Sequence, residues 1–315
     1  MYEKWKGVHT RCAFNMIQEL IPLTRPRTLA ATLGPTILGA AFSYYAFGAA
    51  QGTGLAIFHT VLIFLAVVTA QIVANLWNEY KDFKSGLDAG QKVGNAGSIT
   101  RGVITPELII TMIKVLMFVP IIIGLYLSAT ITWYYIPVGF LCILISFLYS
   151  GGPKPISRTP FGEISSGIAM GFAIVLITGY AWTRELSLAL LIPAIPSTLL
   201  VGSIMLTNNI RDIRNDESHG RHTLPIVLGR ERALSLMSIS YIFNFIWIIA
   251  WIIIGHMTWF ALLAFLSAPL AFKTIHTLST NTDEFQLDKT MGTTAGAAMI
   301  YQLMWAIGLI MGKLF

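Results

Sequence analysis

Two stretches set amides and carboxylates at matching intervals. "NLWNEYKDFKSGLD" (75–88) carries Asn78, Glu79, Asp82 and Asp88, and "NNIRDIRNDESHG" (208–220) carries Asn208, Asn209, Asp212 and Asp216. In each, an Asn stands four residues ahead of an Asp: Asn78 before Asp82, Asn208 before Asp212. Four residues is about one helical turn, so each pair shares a face. Asp216 continues that face in the second stretch, where the first has Gly86 and then Asp88. Carboxylates gathered at membrane helix ends repel one another and are costly to desolvate. A hard divalent cation relieves both problems. Mg²⁺ takes one or two protein carboxylates and fills its other positions with water and substrate phosphate, and Asn adds a neutral oxygen. Nearby arginines and lysines suit the outer oxygens of a diphosphate. One such cluster is ordinary where a helix leaves a bilayer; two matching ones are not.

The elements that carry these residues are apolar. Of 315 residues, 55% are hydrophobic and 11% charged, too few charges to clothe a soluble surface. Runs near the 20-residue span length fall at 28–49, 54–78, 107–129, 132–150, 162–183, 186–210, 232–254, 257–275 and 291–312. The expected fold is an all-α integral membrane protein of nine transmembrane helices. A single domain over 28–315 follows an amphipathic lead-in at 1–27, with acidic loops at 79–106 and 211–231. Basic residues gather before the first segment and after the second, fourth, sixth and eighth, leaving mainly Arg184 and Lys313 opposite. That asymmetry places the N-terminus and both acidic stretches in the cytoplasm. It also accounts for the net charge of +6 without nucleic acid. Two cysteines make no disulfide framework, and the scattered His59, His256 and His276 lack zinc-ligand spacing. No Ser/His/Asp nucleophile arrangement is present either.

Longer motifs carry a family resemblance: "RPRTLAATLGPTILG" (25–39), "NEYKDFKSGLD" (78–88), "YSGGPKPISRTPFGE" (149–163) and "NNIRDIRNDESHGRHTLPIVLG" (208–229). The chain resembles the UbiA-type intramembrane prenyltransferases, whose Asp-rich motifs follow the second and sixth of nine helices. More narrowly it is similar to the branch that prenylates 1,4-dihydroxy-2-naphthoate in menaquinone synthesis. Glu79 replaces the family's usual Asp, and Gly86 stands where the wider family has a third Asp. The resemblance implies Mg²⁺ held by Asn78, Asp82, Asp212 and Asp216, with Glu79 and Asp88 as further metal candidates. It also implies a polyprenyl diphosphate donor, a decarboxylating transfer and a plasma-membrane enzyme with its site facing the cytoplasm. Diphosphate candidates are Lys154, Arg211, Arg221, Arg101, Asn208 and Asn209; acceptor candidates are Arg27, Tyr149 and His222. Gly167, Gly171 and Gly202, with neighbouring aromatics, are candidates to line a tail tunnel, or else plain packing residues. "GNAGS" (94–98) lacks the Gly-Lys-Ser/Thr of a phosphate cradle and reads as a flexible loop.

Two other readings stand beside this one. A related enzyme acting on 4-hydroxybenzoate, haem B or a glycerol-phosphate lipid would share most of the motifs. A divalent-cation transporter would place ionisable groups near mid-membrane with access from both faces; here the acids gather at one mouth.

Overall fold

The computed structural model describes residues 21–87 and 97–315, apart from the side chains of Arg27, Thr28 and Ala30. The first twenty residues of the expected lead-in, Asp88 and Gly94–Ala96 of the "GNAGS" loop lie outside the described residues, as does the Arg27 side chain. Among the described residues there are helices and no strands. A 3₁₀ turn, Pro26–Leu29, leads into α1 (Ala30–Phe47), followed by α2 (Thr53–Ser85), α3 (Pro106–Thr130) and α4 (Tyr135–Ser150). Next come α5 (Gly162–Thr183) and α6 (Leu188–Arg211). Two short helices, α7 (Ile213–Ser218) and α8 (Leu224–Leu228), precede α9 (Arg230–Ile253). Then follow α10 (Trp259–Thr280) and α11 (Glu284–Leu314).

All nine expected segments are helical. Seven of these helices (α2, α3, α5, α6, α9, α10 and α11) are long and apolar enough to cross a membrane. The chain is therefore a multi-pass membrane protein. At 16 residues α4 extends roughly 24 Å, short of a ~30 Å hydrocarbon core. Local chemistry sets the boundaries. Thr105 caps α3 by accepting from the Leu108 N–H, with Pro106 in the first turn, and Asp283 caps α11 by accepting from Gln286 N. Gly86, at φ 75°, forms the left-handed C-cap of α2 one turn past Asp82. The first acidic motif is thus the last two turns of a membrane helix rather than a loop. The second behaves differently: α6 ends at Arg211, Asp212 sits at the break, and α7 resumes at Ile213. The Asp216 N–H still donates to Asp212 O at 2.8 Å, so the two acids stay one turn apart.

Lipid exposure sorts the helices. Only 11% of the most apolar window of α3 is buried, against 56% of that of α6, which puts α6 at the centre of the bundle. Val115, Phe118, Ile122 and Leu125 of α3 face outward. A π-helical stretch, Gly167–Phe172, interrupts α5 where it lies on α6. A Cβ on Gly171 would come within 2.6 Å of the Ser197 carbonyl, so the packing alternative holds for the glycines of α5: they are contact glycines that let two backbones touch. Gly171→Val is expected to lower the thermal midpoint of the detergent-solubilised protein, at a cost of about 1–3 kcal/mol. Gly54→Ala, made in open space, should leave the midpoint unchanged. An unaltered midpoint for Gly171→Val would contradict the close contact.

Candidate functional site

A cavity of about 290 Å³ lies among α2, α3, α4, α5 and α6, with Met291 of α11 on its wall. Its α2 side is a single stripe running from Ile63 through Val67, Ala70 and Ala74 to Asn78. These positions recur every three or four residues and cover roughly 22 Å along the axis. Around Ile63, Leu127, Tyr135 and Ile177 the wall is apolar, and Tyr135 is fixed by donating to Ile177 O at 2.8 Å. The other end is polar and includes Arg25, Asn75, Asn78, Asn208, Asn209 and Arg221.

Two guanidinium groups organise the carboxylates at that polar end. Arg221 Nη2 lies 2.9 Å from Asp82 Oδ1, and Nη1 lies 3.3 Å from Asp216 Oδ1, bridging the two acidic motifs. Arg211 is committed on every side. Its Nε and Nη2 grip both oxygens of Asp212 at 2.7 Å, Nη1 meets Asp288 Oδ1 of α11 at 2.7 Å, and Nη2 also donates to Asn208 Oδ1 at 2.9 Å. Arg25 and Arg158 bring further positive charge near Asp82. Asn78 Oδ1 and Asp216 Oδ2 are buried without a partner, as are the second oxygens of Glu79 and Glu163. Burial is the largest influence on the Asp216 carboxyl; Arg221 opposes it, Asp212 and Asp82 add to it, and the pKa is pushed up to about 7.

Among the described residues, no three carboxylate, imidazole or thiol side chains already converge as a cation cage. The donor set is nevertheless all oxygen, from Asn and Asp, and two of its oxygens are unpartnered. That chemistry fits a hard divalent cation. Glu79 is turned elsewhere: its Oε1 accepts the backbone N–H groups of Gly97 and Ser98 at 3.0 and 2.7 Å, anchoring the chain as it returns to α3. Asn208, Asn209, Arg221 and Tyr149 share the cavity wall with Asn78. Lys154, Arg101 and His222 are exposed and off that wall. Arg101 donates to Ser98 Oγ, and the His222 N–H donates to Arg158 O.

Three contributors escaped sequence reasoning. Glu163 is 5% exposed and accepts from Asn209 Nδ2 at 2.8 Å; the signal was a lone acid entering an apolar run. Asp288 holds Arg211 from 77 residues away, and nothing local announces it. Arg25 opens the first family motif without a role of its own there, yet it lines the cavity and has a left-handed φ of 51°.

Comparison with known proteins converges on the same architecture. A 1,4-dihydroxy-2-naphthoate octaprenyltransferase of Bacillus subtilis (strain 168) is 35% identical over 94% of this chain and 93% of its own length. A protein of the same name from Escherichia coli (strain K12) is 25% identical, covering 92% and 94%. Among solved structures, the apo form of a UbiA homolog from Aeropyrum pernix K1 superposes with TM-score 0.68 at 18% identity, covering 90% of this chain and 97% of that one. A UbiA homolog from Archaeoglobus fulgidus bound to GPP and Mg²⁺ gives TM-score 0.61 at 16% identity, covering 90% and 98%. Residues 33–307 match the model of the UbiA prenyltransferase family, and the chain belongs to that family.

Proposed function

We propose that this enzyme transfers a polyprenyl group from a polyprenyl diphosphate to 1,4-dihydroxy-2-naphthoate, releasing diphosphate and CO₂ and giving demethylmenaquinol. The observation that carries this reading is one cavity that is oily at one end and lined by amides and guanidinium groups at the other. The near-full-length likeness to naphthoate octaprenyltransferases supports the acceptor. Asn78, Asp82, Asp212 and Asp216 would hold Mg²⁺, with Glu79 given over to the 97–99 turn. Bound there, Mg²⁺ supplies Lewis-acid charge to the diphosphate oxygens.

The protein's own groups do the rest. Arg221 and Asn208 meet the diphosphate, and the apolar stripe of α2 takes the tail. The allylic C–O bond breaks with its electron pair going to diphosphate, where fixed cations oppose the developing charge. The electron-rich ring attacks the allylic carbon and forms the C–C bond; the ring carboxylate leaves as CO₂, its bonding pair restoring the aromatic ring with no net uptake of a proton. Walls of Ile, Leu and Val keep water from the allylic cation. Tyr149, on the wall, orients the acceptor. α1 and α4 complete nine spans in the plasma membrane, with the N-terminus and the polar mouth cytoplasmic, as the basic residues favour.

Purified protein given Mg²⁺, an all-trans polyprenyl diphosphate and 1,4-dihydroxy-2-naphthoate should yield a prenylated, decarboxylated product by mass. Turnover with 4-hydroxybenzoate in its place would overturn the acceptor assignment. Asp82→Ala and Asp212→Ala should each lower kcat/KM by about 100-fold or more, roughly 3 kcal/mol; full activity in either would sink the cation site.

The raised pKa of Asp216 gives a pH dependence with a definite sign. A carboxyl titrating near 7 is protonated below that pH, and only the carboxylate ligates. Cation affinity should therefore rise with pH, about tenfold weaker at pH 6 than at pH 8. Mn²⁺ titration followed by electron paramagnetic resonance measures it, and Asp216→Asn should flatten the profile.

A further inference from the structure

Asn208 and Asn209 are neighbours on α6, and both line the polar end of the cavity. An asparagine amide presents an oxygen one way and an NH₂ group the other. Left alone it can turn either face to a ligand. Here each amide has a hydrogen-bonding partner on one side. Arg211, which can only donate, takes Asn208 Oδ1 at 2.9 Å, leaving the Asn208 NH₂ group for the cavity. Glu163 Oε1 accepts from Asn209 Nδ2 at 2.8 Å, leaving the Asn209 oxygen. Two adjacent amides are thus set to opposite polarity.

Packing holds Glu163 in place for this. It lies in the first turn of α5, which rests on α6: a Cβ on Gly202 would be 3.3 Å from the Glu163 carbonyl oxygen. Gly202 and Asn209 are seven residues apart, on one face of α6, so the carboxylate reaches the amide along that face. Glu163 is 5% exposed, and its second oxygen has no partner. A buried carboxyl with one hydrogen bond costs stability, and its bond to a cavity-lining amide offsets only part of that cost. The fixed Asn209 oxygen shares the polar end with the unpartnered Asn78 Oδ1.

We propose that Glu163 is a positioning residue that locks the Asn209 amide with its oxygen toward the cavity, as an additional neutral ligand for the divalent cation. Carboxylates that orient metal ligands in this way are commonly worth 10–100-fold in metal affinity. The inference rests on the cation-dependent function proposed above and assigns that site a ligand and its support.

The test is Mn²⁺ binding to the detergent-solubilised full-length protein, read by electron paramagnetic resonance, with thermal midpoints recorded alongside. Glu163→Gln keeps shape but can hydrogen-bond in either sense, so it should weaken Mn²⁺ binding by about tenfold at an unchanged midpoint. In the double variant Glu163→Gln with Asn209→Asp, residue 209 offers an oxygen in both directions, and affinity should return to within about threefold of wild type. Wild-type affinity in Glu163→Gln overturns the proposal while leaving the proposed function intact. A loss that the double variant does not recover, or that tracks a fallen midpoint, reduces Glu163 to packing and overturns it equally. Failure of the wild-type protein to bind Mn²⁺ overturns both this inference and the cation-dependent function.

Discussion

The arginine between Asp82 and Asp216 holds together parts of the chain that are far apart in sequence. Asp82 ends α2 and Asp216 belongs to α7, and Arg221 reaches across 139 residues to join Asp82 to the loop that follows α7. Buried carboxylates at the mouth of a lipid-embedded bundle cannot stand bare, since each uncompensated charge costs several kcal/mol. The four aspartates each arrive with a guanidinium, Asp82 and Asp216 with Arg221, Asp212 and Asp288 with Arg211, while Glu79 takes backbone N–H groups and Glu163 an amide. Meeting that constraint requires the ends of α2, α6 and α11 and the 212–221 segment to lie within a few ångströms of one another. The geometry of the cavity mouth follows from it.

The two acidic motifs behave as variants of one device. In both, the residue after the leading Asn ties its helix to the chain entering a neighbouring one. Glu79 accepts from the backbone at 97–98 ahead of α3, and Asn209 donates to Glu163 at the start of α5. They differ in how the helix stops. Gly86 ends α2 with a left-handed cap, so no further helical turn bearing an acid follows it. At Asp212 the φ of −94° breaks the helix but lets α7 resume, so Asp216 is retained a turn later. A Gly in one motif and an Asp in the other is thus a difference in helix termination before it is a difference in ligands.

Much of this was legible beforehand because lipid imposes a simple code. Apolar runs of span length became helices, and the repeated Asn–Asp spacing put Asn78 on the cavity wall with Asp82 one turn on. What stayed hidden was reach. A sequence shows that Arg211 is a cation beside an acid. It does not show that Asp288 will arrive from α11 and leave the guanidinium fully engaged. Lys154 and Arg101 were diphosphate candidates beside Arg221, and His222 an acceptor candidate, yet all three are exposed and off the cavity wall. Only tertiary packing separates a cation on a loop from one aimed inward. Glu163 ends its motif with no local sign of a role for the same reason: its partner lies 46 residues away, and helix contact rather than spacing brings them together.

Between Ile63 and Asn78 a single face of α2 passes from oil to amide, and that gradient links the fold to its chemistry. A straight-sided apolar tunnel would bind a prenyl tail anywhere along its length, because hydrophobic contact has no direction. Position must come from the polar end, where hydrogen bonds and ion pairs are directional and strong only with water excluded. Because one rigid helix carries both ends, the depth of the tail and the place of the leaving group are coupled through a fixed rise per residue. A cavity built so gives its binding energy to the tail and its precision to the head. An enzyme that must generate a reactive allylic cation at one defined carbon needs both at once.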